Sequence, residues 1–85
     1  MLDEAIARIK QMEMYFDVLR QAAEEPSAAA NPWFRGIFRI LVRYCESGQW
    51  LRDYELDEKG LLPKELKRGV LAQDALYDLL ERLNH

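Results

Sequence analysis

At 85 residues the chain has room for one domain, residues 1–85, and its net charge of -3 disfavours non-specific attraction to nucleic acid or to an anionic membrane. Apolar residues make up 49% of it and charged residues 32%, enough greasy material for a core and too much for an intrinsically disordered segment. Cys45 is the only cysteine, which excludes an intramolecular disulfide scaffold and fits a reducing compartment.

The charge is distributed in blocks. Residues 1–31 sum to -3, 32–45 to +3, 46–60 to -3, 61–72 to +2 and 73–85 to -2. Alternating signs of this kind suit segments that lie beside one another in the fold or across an oligomer. No basic stretch followed by an apolar one opens the sequence, and no apolar run approaches the roughly 20 residues that cross a bilayer. A cytoplasmic protein without a membrane anchor is expected.

From Leu2 to about Glu24, Leu2, Ile6, Ile9, Met12, Phe16, Leu19 and Ala23 recur by threes and fours, as one helix face demands. Asp3 and Glu4 favour the helix dipole in the first turn, and Pro26 ends the run. The resulting rod, about 34 Å long, offers more apolar stripe than one small chain covers. Asn31-Pro32 reads as an N-cap followed by proline at the first helical position, so a second helix folds back from Pro32 to about Ser47. It carries Trp33, Phe34, Ile37, Phe38, Leu41, Tyr44 and Cys45 on a broad apolar face, with Arg35, Arg39 and Arg43 as a stripe opposite and Gly48 as the terminating left-handed residue.

Gln49 to Lys59 reads as a short helix turning Trp50 and Tyr54 inward and closed by Gly60. Pro63 forces Leu61-Leu62 into an extended link, and Pro63-Lys64-Glu65-Leu66 reads as one helical turn ending near Gly69. A last helix starts near Ala72 or Gln73 and carries Ala75, Leu76, Leu79, Leu80 and Leu83, with Tyr77 flanking. With no strand pattern and no repeat, the expected fold is all-α: a helical hairpin, a wrapping segment over Gly48–Leu71, and a short C-terminal helix. In that arrangement Trp50, Tyr54, Leu62, Leu66 and Leu71 are buried as a clasp, while Asp57, Glu58 and Lys64 stay in water.

The run beginning YCESGQWLRDYELDEKGLLPKELKRGVL, with Tyr44, Gly48, Trp50, Asp53, Tyr54, Gly60, Pro63 and Gly69 among its carrying residues, resembles the C-terminal signature of a small bacterial family known only as a domain of unknown function. Its members also begin with a heptad-like amphipathic helix. The pattern more often holds serine where this chain has Ala72, a residue that would cap the last helix. The resemblance implies a bacterial source and brings no activity, ligand or catalytic residue with it.

No chemical constellation stands out. Asp53, Glu55 and Asp57 have the one-three-five spacing of a calcium loop, but Glu58 stands where the turn glycine belongs and Lys64 where a bidentate carboxylate belongs, so a solvated or arginine-paired acidic face is expected. The one histidine is the terminal His85, which leaves Cys45 without a positioned base, and Cys45 on an apolar face reads as an inert thiol. Neither an enzyme, nor a metal, nor a cofactor is expected. Candidate interaction residues are Arg35, Arg39, Arg43, Trp33, Tyr54, Lys67 and Arg68. The expected role is protein–protein interaction or self-association; the alternative is nucleic-acid or phosphate-ligand binding through Arg35, Arg39, Arg43, Lys67 and Arg68, disfavoured by the overall acidity.

Overall fold

The computed structural model describes residues 2–25, 27 and 31–83. Four α-helices and one short 3₁₀ turn follow one another: α1 Leu2–Ala22, α2 Pro32–Glu46, α3 Gln49–Glu58, the 3₁₀ turn Gly69–Leu71, and α4 Gln73–Leu83. The fold is all-α, with the long first helix and the hairpin, wrapping segment and short last helix expected from the sequence. The link expected at residues 26–30 and the terminal His85 lie outside the described residues, apart from Ser27.

The helix boundaries have local causes. Asn31 caps α2 by accepting a 3.2 Å hydrogen bond from the Trp33 amide, and Pro32 occupies the first turn, where its missing N–H costs nothing. Ser47 ends α2, its amide donating to the Arg43 carbonyl, and Gly48 at φ +88° turns the chain directly into α3. Gly60, at φ +71°, closes α3 while the Leu61 amide reaches back to the Leu56 carbonyl. A residue with a Cβ would be strained at either glycine. Helix α4 begins one residue after Ala72, whose carbonyl accepts from the Leu76 amide; alanine there supplies no capping oxygen.

Helix α1 buries Ala5, Ile9, Glu13, Phe16 and Leu19, a line shifted from the expected one. Leu2 is 39% exposed and Ile6 and Met12 are half-buried, so the apolar face is narrower than the pattern suggested and has an acid in its middle. Phe34, Leu41 and Tyr44 come in from α2, Trp50 from α3, Leu76, Leu79 and Leu80 from α4. The 3₁₀ turn lies where α1, α3 and α4 all reach, with Val70 and Leu71 buried between them.

The wrapping segment departs from expectation in two places. Residues 63–66 form a single turn, closed by the Leu66 amide on the Pro63 carbonyl, and Gly69 opens the 3₁₀ turn instead of ending a helical one. The clasp itself is present, since Trp50, Leu62, Leu66 and Leu71 are buried and Glu58 and Lys64 are exposed. Tyr54, however, is only half-buried, and Asp57 is half-buried as the ion-pair partner of Arg68 instead of lying in water. An ion pair made at the rim of a core shields both charges partly from solvent.

Candidate functional site

Two polar anchors tie α1 to the wrapping segment. In the first, the Asp53 carboxylate, fully removed from solvent, accepts from Arg8 Nε at 2.9 Å, from Arg8 Nη2 at 2.5 Å and from the Tyr44 hydroxyl at 2.7 Å. Three donors, two of them on a cation, are the arrangement that lets a carboxylate be buried at all. The bond to Asp53 raises the affinity of the Arg8 guanidinium for its proton. Burial, reinforced by the bond to Asp53, pushes the Tyr44 hydroxyl well above the ordinary phenol range.

In the second anchor the Val70 peptide is held from both sides. Glu13 Oε1 accepts its N–H at 2.7 Å, and the Trp50 indole N–H donates to its carbonyl at 2.9 Å. Gly69 leaves room for this grip, because a Cβ there would stand 3.1 Å from the Glu13 carboxylate. The Trp50 ring stacks on Tyr54 at 5.1 Å and tilts against Tyr77 at 5.6 Å. A third tie, outside α1, joins Arg68 to Asp57 and to the Pro63 and Leu66 carbonyls.

The acid cluster of 53–58 is therefore arginine-paired at Asp53 and Asp57, but by Arg8 and Arg68. Arg35, Arg39 and Arg43 are instead exposed together, and among the described residues Arg39 and Arg43 form no ion pair. Of the other candidate residues, Trp33 is 50% exposed with its ring edge against Phe34, and Lys67 is exposed beside a hollow that it lines with Lys10 and Glu13. Tyr54 and Arg68 are committed to the fold, through the Trp50 stack and the Asp57 tie. Arg8 and Glu13 escaped the sequence reading. Glu13 left a signal, an acid four residues after Ile9 and three before Phe16 on the buried line; Arg8 left none.

Two open apolar surfaces remain. One, of about 560 Å³, lies between the start of α1 and the end of α3 and is lined by Leu2, Ala5, Leu56 and Leu61 with Arg52, Glu55 and Lys59 around it. The other is a groove along α2 facing α4, made of two adjoining hollows of about 480 and 360 Å³ that share Phe38 and Val42. Cys45 lines this groove beside Tyr77; burial first, and then the charge of Glu46, push its thiol up to about 11, and burial pushes the Tyr77 hydroxyl upward as well. Such a thiol stays protonated at neutral pH and is a poor nucleophile. No group of three or more His, Cys, Asp or Glu side chains is gathered as a metal cage among the described residues, and no helix among them is long and apolar enough to cross a membrane.

Searches among curated proteins and among solved structures return no match. Residues 9–85 match a family described as "Domain of unknown function (DUF4298)". With the match running from Ile9 in α1 to residue 85, this protein belongs to the DUF4298 family.

Proposed function

We propose that this chain is a small protein–protein interaction or self-associating domain that works in the bacterial cytoplasm. The observation that carries this reading is the open apolar surface: Leu2, Trp33, Ile40, Leu51, Leu61 and Tyr77 are between 39% and 53% exposed, and several of them border hollows. Single exposed apolar residues are ordinary, but contiguous ones that line grooves mark surfaces a partner covers. The buried polar side chains of the anchors, by contrast, are all hydrogen-bonded within the fold.

Light scattering on the purified chain at high concentration, with an affinity capture from a bacterial lysate, tests the reading. A mass above the monomer or a stoichiometric captured protein is expected. A strict monomer that captures nothing contradicts it.

A second reading, a phosphate or nucleic-acid binder, is favoured by one observation, the joint exposure of Arg35, Arg39 and Arg43. Glu46 and Glu81 line the same groove and Arg68 is held by Asp57, which weakens it. A gel shift at low salt that retains neither DNA nor RNA removes it.

A further inference from the structure

The groove along α2 has an apolar floor and an uneven distribution of charge. Phe38, Val42, Cys45 and Leu80 form the floor, with Tyr77 on the α4 side. The hollow nearer the start of α2 is lined by Arg35, Arg39, Phe38 and Val42, with no acid among them. Arg43 lies one turn beyond Arg39 on the same stripe, and Glu46 and Glu81 close the C-terminal end. Arg35 already interacts within the chain, whereas the exposed Arg39 and Arg43 form no ion pair among the described residues. Residues 32–45 carry three basic side chains and no acidic one, although the whole chain carries -3.

We propose that this groove docks an acidic amphipathic helix of another protein, its apolar face on Phe38 and Val42 and its carboxylates on Arg39 and Arg43; the proposal rests on the interaction reading above and states the partner's chemistry. The span from Arg35 to Cys45, about 15 Å of helix rise, takes about three turns of a helix laid along it. The described residues contain no strand, so no sheet edge is offered to an extended peptide, and a helix laid in a groove is the mode that suits this surface. The acidic flank is confined to the turns opposite Arg39 and Arg43, since a carboxylate further along would meet Glu46 and Glu81.

Charge and floor together select this occupant. A basic helix would be repelled at Arg39 and Arg43, and a nucleic acid would leave the apolar floor uncovered and bring phosphates to Glu46 and Glu81. A second copy laid on through the same face about a two-fold axis would set one basic stripe against another.

The test is fluorescence anisotropy at low salt with the full chain and two labelled, end-capped amphipathic helical peptides, alike except for glutamates along one flank of the first and lysines in the second. The net charge of -3 by itself favours the lysine peptide, so only a local basic site reverses the preference. The glutamate peptide is expected to bind at least about 10-fold more tightly than the lysine one. Arg39→Glu is expected to weaken that binding about 10-fold, and Val42→Glu, which puts a charge on the apolar floor, at least as much. Arg52→Glu, which changes the net charge equally on another face, leaves it within about 2-fold. If Val42→Glu fails to melt cooperatively, the exposed Arg39 variant carries the test alone. A glutamate peptide that binds no tighter than the lysine one, or that Arg39→Glu and Arg52→Glu weaken alike, overturns the proposal. So does a single-stranded oligonucleotide that binds more tightly than the glutamate peptide and loses that binding in Arg39→Glu. Self-association, or capture of a lysate protein, that survives both Arg39→Glu and Val42→Glu overturns this groove as the docking site while leaving the interaction reading standing.

Discussion

Arg8 and Arg68 on the clasp side of the molecule, and Arg39 and Arg43 on the outer side of α2, are the same kind of residue in opposite situations. The first two meet carboxylates of the 53–58 cluster, one of them fully buried; the second two are exposed and form no ion pair among the described residues. The difference follows from what each pair faces. Arg8 sits beside the buried line of α1, where the clasp brings Asp53 in from above, so its charge is needed to make that burial tolerable. Charge on one side of the molecule holds the chain together, and on the other Arg39 and Arg43 stay exposed.

This contrast is most severely tested at Asp53. Asp53→Ala leaves the Arg8 charge and the Tyr44 hydroxyl without their acceptor, and it is expected to cost about 3–5 kcal/mol, a large share of the stability of a domain this small. Urea unfolding at neutral pH measures it; a loss below about 1 kcal/mol would mean that Arg8 and Tyr44 find water as readily as the outer arginines do. At Glu13 the effect is smaller. Glu13→Ala strands the Val70 N–H and is expected to cost about 1–3 kcal/mol, whereas Glu13→Gln keeps an accepting oxygen and should cost less than about 1 kcal/mol. Equal losses for the two variants would show that packing, and not the hydrogen bond, matters there.

Tyr44 and Cys45 are chain neighbours that face the two sides, and pH separates them. Both protons are held more tightly in the folded chain than in the unfolded one, where the thiol titrates near 9.0 and the phenol near 10.0. Above pH 9 the unfolded chain gives up the thiol proton first, so folding stability is full below that pH and falls as pH rises towards about 11. Tyr44 deepens the fall from about pH 10 upward. Denaturant titrations at a series of pH values should show a shallower slope between pH 9 and 10 for Cys45→Ala than for wild type; identical slopes would place the thiol in water. The smallest effect is expected on the outer stripe, where Arg39→Gln and Arg43→Gln should each change monomer stability by less than about 0.5 kcal/mol. A loss above about 1 kcal/mol would mean that the outer arginines also hold the fold together.

Periodicity, caps and turn glycines made the helices legible in the sequence, because Asn31-Pro32, Gly48 and Gly60 act through local backbone geometry. The clasp was legible through Trp50, Leu62, Leu66 and Leu71, whose burial follows from their bulk. The polar anchors were not, since which acid meets which arginine depends on how elements some 45 residues apart in sequence come to lie together. Arg35, Arg39 and Arg43 had a spacing as suggestive as any, yet Asp53 and Asp57 paired with Arg8 and Arg68. The turn at 63–66 was misread as helical because proline at a first turn suits a helix and a simple turn equally. Candidate surface residues divided in the same way: Trp33 and the α2 arginines point outward, while Tyr54 and Arg68 were drawn into the fold by partners, Trp50 and Asp57, that lie within a few turns of chain.

The central claim is that α1 and the clasp are locked through the Val70 peptide, and amide hydrogen exchange at that residue tests it most directly. The Val70 N–H, bonded to Glu13 beneath the core although it lies outside any α-helix, is predicted to exchange only with global unfolding, as slowly as the amides in the middle of α1, and to exchange faster in Glu13→Ala. A Val70 amide that exchanges in wild type as fast as that of exposed Lys64 would contradict the account.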